Sequence, residues 1–251
     1  MDICQAFRRP LTLVLGITLL ALSAASLAKN AQADSFPHNF RATFMLNTRN
    51  IDVGTTQWEL APLSPGRYSF SSRSEAIGIA KLFRDERINE RSEWQFIDGR
   101  VRPLRYSYSR VGGKREREVS AEFDWEHAQL RHTLNAKRST IPLVKGTLDK
   151  LVYVIALMND LSRGVNDIGY QIADGGKAKT YQLKVVGEEQ IDTVVGSLRA
   201  TLVERTQSGK SRLTRIWCAQ ALNFLPVRIE HIEEDGTLQF TLTALQGLAV
   251  K

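Results

Sequence analysis

From His38 onward apolar and polar residues alternate along the chain with a period of two, the pattern of a strand buried on one face. Phe40, Ala42, Phe44 and Leu46 open the series, Trp58 and Leu60 close a first hairpin, and Tyr68 with Phe70 begin the next strand. The pattern continues through Trp94 and Phe96, Leu104, Tyr106 and Tyr108, then Val119, Ala121, Phe123 and Trp125. After a break it resumes at Ile168, Tyr170 and Ile172, and runs through Tyr181, Leu183 and Val185, Leu213 and Trp217, Val227 and Ile229, and Leu238, Phe240 and Leu242. Between these segments lie Asp98-Gly99, Gly112-Gly113, Asp174-Gly175-Gly176, Ser208-Gly209 and Asp235-Gly236. Such dipeptides supply the positive φ of tight hairpins, so successive strands are expected to pair antiparallel. Strands this numerous and long predict a mainly β chain, a long curved antiparallel sheet or open half-barrel rather than an immunoglobulin-size sandwich.

One segment switches period. Over residues 147–163, Leu148, Leu151, Val152, Ile155 and Met158 recur at helical spacing, with Thr147 as N-cap, Asp149 near the positive end and Gly164 as stop. Tyr153, Val154 and Leu157 make the other side apolar too. A helix apolar nearly all round is normally enclosed, so it is expected across the concave face of the sheet. The stretch 76–91 reads either as a short helix or as a flap.

The first residues follow another rule. Arg8 and Arg9 precede the uncharged run Leu11 to Leu22, and small residues follow it. Twelve apolar residues span roughly 18 Å as a helix, short of the roughly 30 Å hydrocarbon core, so the segment reads as a cleavable signal peptide rather than a membrane span. Cleavage is expected after Ala33, with the site after Ala28 as alternative. No Ser or Thr precedes the arginine pair, which favours general secretion over twin-arginine export, and no Cys follows the apolar run to carry a lipid. The expected product is a periplasmic protein, not transmembrane after cleavage, with one β-rich domain over residues 34–251. Cys4 leaves with the signal, and Cys218, alone between Trp217 and Ala219, reads as a core residue.

Charge then changes meaning. The chain of 251 residues carries 34 Lys+Arg against 27 Asp+Glu, a net +7, and is 43% hydrophobic, which excludes disorder and disulfide-dense scaffolds. Arg8, Arg9 and Lys29 less Asp2 account for two of the seven units. The basic, Tyr-bearing segment 105–118 would suit single-stranded nucleic acid, but export removes that partner. Its Arg105, Arg110, Lys114, Arg115 and Arg117 are instead candidate contacts to an anionic envelope surface; the plainer reading is that they guard an edge strand. Tyr106, Tyr108, Phe123, Trp125, Leu151, Ile155, Met158 and Trp217 are candidate lining for a cavity under the helix, against the plainer reading of ordinary core. His127 with His132, and His231 beside Glu233 and Glu234, read as solvated hairpin residues rather than metal ligands. No nucleophile elbow, zinc-protease helix, phosphate loop or dinucleotide fingerprint occurs, so no catalytic residue, metal or cofactor is assigned.

Several stretches together resemble a known group. These are 92–103 (SEWQFIDGRVRP) with Tyr106, Phe123-Asp124-Trp125, 146–151 (GTLDKL), 181–196 (YQLKVVGEEQIDTVVG), and Trp217 with 225–229 (LPVRI) and Asp235-Gly236. They are similar to the exported bacterial domain of unknown function family 3108. The resemblance implies an exported, β-rich envelope protein and carries no catalytic residues with it. A sheet wrapped around an enclosed helix is also similar to the open barrels that carry lipids or acyl chains across the periplasm, an analogy of fold alone. The expected function is non-catalytic binding of an apolar or lipid-like ligand between sheet and helix. The alternative is an envelope assembly factor that docks a protein or anionic surface and has no ligand cavity. An enzyme acting through buried acids comes third.

Overall fold

The computed structural model describes residues 36–83, 85–113, 116–207, 212–234 and 236–250. The expected signal segment with its cleavage site, Lys114, Arg115, the Ser208-Gly209 turn and Asp235 lie outside them. Among the described residues fifteen strands form one sheet. The first eight are β1 (Phe40–Thr48), β2 (Ile51–Ser64), β3 (Arg67–Ala76), β4 (Arg87–Ile97), β5 (Arg100–Val111), β6 (Arg117–Asp124), β7 (Gln129–Leu134) and β8 (Lys137–Pro142), with a short helix α1 (Gly78–Phe83) before β4. Then come β9 (Leu148–Asp149), helix α2 (Tyr153–Ser162), β10 (Asp167–Asp174), β11 (Lys177–Thr193), β12 (Gly196–Gln207), β13 (Leu213–Ala219), β14 (Leu225–Glu233) and β15 (Gly236–Gln246).

The spatial order runs from β8 back to β1, across to β15, and down to β9. Each strand except β8 therefore neighbours its successor in sequence, and the two halves join where β1 pairs antiparallel with β15. All pairs are antiparallel except the short β9–β10 pair. Laid flat, fifteen strands at about 4.8 Å spacing would span on the order of 65 Å. Yet Pro142 at the end of β8 connects to Leu148 at the start of β9 in six residue steps, at most about 20 Å of chain. The sheet must curl until its two ends approach, while remaining open: β8 and β9 do not pair. The half-barrel expectation is thus met.

The enclosed helix is present, but it starts later than its periodicity suggests. Thr147 is not its cap; its hydroxyl donates to Val144 O at 2.8 Å. Leu148 and Asp149 enter the sheet as β9, and Asp149 Oδ1 accepts the backbone N–H groups of Leu151 (2.9 Å) and Val152 (2.7 Å), forming the turn that leads into α2. The same leucines and valines satisfy a strand and a turn first because the sheet end needs a partner for β10. Gly164, at φ +76°, stops the helix as expected. Eight of the ten α2 residues are buried, among them Ile155, Leu157 and Met158.

The segment 76–91 resolves into α1 and the start of β4. The expectation that the basic residues of 105–118 guard an edge is corrected: β5 and β6 are interior strands, and the edge is β8, whose exposed Lys137 and Arg138 and terminal Pro142 discourage further pairing.

Candidate functional site

Register builds one wall of the site. Ser92 of β4 lies opposite Tyr106 of β5, which lies opposite Ala121 of β6, which lies opposite His132 of β7. The next row is Glu90, Tyr108, Val119 and Leu134, and beyond it Arg110 faces Arg117. Strand alternation puts all of these on one face. The facing wall is the other end of the sheet: Asp149 and Lys150 at β9, then Ala173, Asp174 and Gly175 at the end of β10.

Where the walls touch, polar groups are sealed in. Asp149 is fully buried; Ser92 Oγ donates to its Oδ2 at 2.5 Å while the two backbone N–H groups hold Oδ1. Burial nevertheless pushes this carboxyl up to about 6, against the lowering effect of those bonds. Tyr106 donates its hydroxyl to Glu90 Oε2 at 2.7 Å. Burial raises Glu90, opposed by the bond from Tyr106 and the charge of Lys150, and Tyr106 is itself raised by burial and by Glu90. These acids are a structural latch: both Asp149 oxygens are engaged, and the group ties the root of α2 to β4.

Where the walls part, a cavity of about 60 Å³ remains, lined by Tyr106, Tyr108, Arg110, Arg117, Val119, Ala121, His132, Lys150, Ala173, Asp174 and Gly175. Arg117 and Lys150 flank the Tyr108 ring, 6.0 and 5.8 Å from its centroid. Asp174 accepts from Lys179 and lies 3.8 Å from Lys150 Nζ; burial would raise it, but Lys179, Lys150 and Arg117 together hold it below the usual carboxylate range. His132 is 5% exposed, and its Nε2 is buried without a hydrogen-bond partner. Burial, followed by the charge of Arg117, lowers its pKa, so the ring is neutral at pH 7. The β10–β11 turn presses close: a β-carbon on Gly176, at φ +75°, would sit 3.2 Å from His132 Nδ1.

The residues singled out by sequence are divided by this geometry. Tyr106 and Tyr108 line the seam cavity. Phe123, Leu151, Ile155 and Met158 are buried in the core, with Phe123 stacked on Trp125 at 6.1 Å. Trp125 donates its indole N–H to Pro103 O at 2.7 Å and lies under Arg102. Trp217 is on the face of β13 opposite Ile216, with its indole donating to Glu189 at 2.9 Å and Arg228 over its ring. It therefore does not share the surface that meets α2. The basic set is split as well: Arg110 and Arg117 border the seam, whereas Arg105 faces outward beside Glu93 and Glu122.

Two histidines are corrected. His127 is exposed as expected and bonds Asp124, but His132 is a cavity wall and His231 is largely enclosed. Thr214 bonds His231 Nδ1 at 3.0 Å, and burial with the nearby Arg205 and Arg212 lowers the ring to about 4. Arg205 also points inward, bonding Tyr153 of α2 at 2.9 Å and lying over Tyr181. The seam itself was invisible to local pattern. Glu90, Asp149, Lys150 and Asp174 come together only because the sheet curls, although the alternation Leu130, His132, Leu134 does mark His132 as inward-facing. No group of three or more potential metal ligands occurs among the described residues.

An open, curled meander with a helix inside defines a barrel-like class, and a solved structure has a similar fold. The beta-barrel-like protein of domain of unknown function DUF1849 from Brucella abortus is similar over 85% of this chain and 99% of its own, at TM-score 0.56 and 12% identity. A Parabacteroides distasonis protein designated a "putative lipoprotein" aligns over 84% of this chain and 96% of its own, at TM-score 0.32 and 9% identity. No curated protein matches the chain. Residues 39–243 match the model of DUF3108, protein of unknown function, and the chain belongs to that family.

Proposed function

We propose that this is an exported, non-catalytic binding protein of the bacterial envelope whose ligand sits in the seam between the two ends of the curled sheet. The carrying observation is the cavity beside His132, whose buried Nε2 lacks a partner. A buried, unpaired polar atom costs on the order of 1–3 kcal/mol, which a ligand would recover. Export rests on the amino-terminal pattern of charge, apolar run and small residues.

Magnitudes favour the seam over the space beneath α2. Displacing Tyr153, Val154, Ile155, Leu157, Met158 and Leu161 would expose side chains whose burial is worth roughly 1.5–3 kcal/mol each, together on the order of 10 kcal/mol. That rivals the whole stability of a typical domain, about 5–15 kcal/mol. An acyl chain would have to replace the helix; a small polar head need only enter the mouth. The docking alternative needs a single basic face, and Arg105 on one side with Arg110 and Arg117 on the other do not make one. Native mass spectrometry of protein purified from envelope fractions tests the reading. A bound small molecule that is lost in Tyr108→Ala supports the seam; a molecule retained there but lost in Met158→Trp would move the site under the helix.

A further inference from the structure

The seam's chemistry selects a class of ligand. Arg117 makes no ion pair among the described residues, and Lys150 has only the long 3.8 Å contact to Asp174, whose other oxygen is already taken by Lys179. Arg110, at the rim, is engaged by Glu86 at 3.4 Å. Glu90 stands behind Tyr106 and accepts its hydroxyl. Two cations near the Tyr108 ring thus line the same small space. The carboxylate that shares it, Asp174, is met by three cations, Lys179, Lys150 and Arg117, which leaves the space positive. The third polar side chain of the lining is His132 of β7, whose buried Nε2 lacks a partner. Arg117 of β6, Lys150 after β9 and His132 of β7 reach the lining from three separate elements, an arrangement that can surround a tetrahedral oxyanion. A phosphate group, singly negative as a diester and about −1.5 to −2 as a monoester, suits two cations. The space, room for a few water molecules, admits one such group and no more. Val119, Ala121 and Ala173 supply an apolar flank for whatever the phosphate is attached to.

We infer that the seam cavity binds a phosphate group through Arg117, Lys150 and the His132 Nε2–H. This rests on the proposed binding role and names the chemistry of that same site. It also assigns the tautomer of His132, with the proton on Nε2.

Purified protein is titrated with inorganic phosphate while the imidazole nitrogens of His132 are followed by NMR and heat by calorimetry. Saturable one-to-one binding that shifts Nε2, and that weakens at least tenfold in Arg117→Gln and in Lys150→Gln, is the expected result. Thermal melts of both variants establish that they are folded. A second arm uses phosphatidylglycerol vesicles, with phosphatidylcholine vesicles as control. Flotation with the anionic vesicles alone, lost in Arg117→Gln, identifies the phosphate as that of a lipid headgroup; a response to inorganic phosphate without flotation identifies a soluble phosphate. Octyl glucoside separates this inference from the role beneath it. A His132 response to that neutral amphiphile, with none to phosphate or phosphatidylglycerol, overturns the phosphate assignment and leaves the seam as a site. Silence of His132 toward all three, or equal responses in wild type and Arg117→Gln, overturns the assignment outright.

Discussion

Asp149 shows how one side chain can serve as joint and as burden. Its oxygens organise the turn before α2 and bind Ser92, yet the group is fully buried and its carboxyl is raised from 3.8 to about 6. A raised carboxyl means that the folded state holds its proton to higher pH than the unfolded chain. The stabilisation is complete below about pH 3.8 and is lost as pH rises through 6, a change of about 3 kcal/mol for this shift. Glu90 acts in the same direction, while the lowered Asp174 acts in the opposite one, contributing stability that disappears on acidification. Comparison with Asp149→Asn isolates the one group: the amide keeps an acceptor for Leu151 and Val152 and can donate to Ser92. Urea melts at pH 7.5 should find Asp149→Asn more stable than wild type by about 1–3 kcal/mol, with the difference vanishing near pH 4. Asp149→Ala, lacking the acceptor, should be less stable than Asp149→Asn at every pH. A wild-type and Asn pair with parallel pH profiles would remove Asp149 as a buried ionisable latch. Cys218 is also fully buried, with its thiol raised by that burial, so a thiol reagent should label it only as fast as the protein opens.

Among the elements, α2 carries the interior. Ile155 and Leu157 are each 0% exposed, so Leu157→Ala should cost about 2–5 kcal/mol in chemical denaturation. A loss below about 1 kcal/mol would mean that the space around the helix collapses or is already loose. Tethers at its far end also matter: Asn159 donates to Gly99 O at 3.1 Å and Tyr170 to Asp160 at 2.6 Å. The Asp98-Gly99 turn, with φ of +53° and +70°, was legible from its dipeptide alone, and so were α2 and most strands, because alternation and turn chemistry are local. Three strands escaped for physical reasons. β8 is an edge with nearly every residue exposed, so it has no apolar face to reveal it. β7 is only six residues long, and a polar residue, His132, between Leu130 and Leu134 weakens the apolar alternation there without erasing it. In β12, Leu198, Ala200 and Val203 are buried but break strict alternation, since parts of both faces are covered. The start of α2 was misread because Leu148 and Asp149 fit helical periodicity while a tertiary demand, pairing with β10, claims them. The seam depended on contacts between positions some 57 residues apart in sequence, such as Ser92 with Asp149, which no window could see.

At the scale of the molecule, the sheet is a single meander cut at an unusual place. The first and last strands lie together, since Arg41 pairs with Gln246, while the link from β8 to β9 passes through exposed Lys145 and Gly146. Joining residue 250 to residue 36 by a short linker, without the first 35 residues, and opening the chain between Lys145 and Gly146 makes sequence order equal spatial order throughout. That permutant should fold, and should refold faster than the natural order, because the β1–β15 pairing of residues about 200 apart becomes local. Slower refolding in stopped flow would show that the seam, not the central pairing, limits assembly. The same curl brings charges from separate strands to one mouth and leaves the interior to α2. The most direct test of that division compares two side chains in one sample. His132 reports the seam and Met158, one of three methionines, reports the surface of the helix within the core. Adding dihexanoyl phosphatidylglycerol, which has both a phosphate head and apolar tails, should shift the His132 imidazole nitrogens and leave the Met158 methyl resonance in place. Movement of Met158 with His132 unchanged would contradict the account and put the ligand beneath the helix.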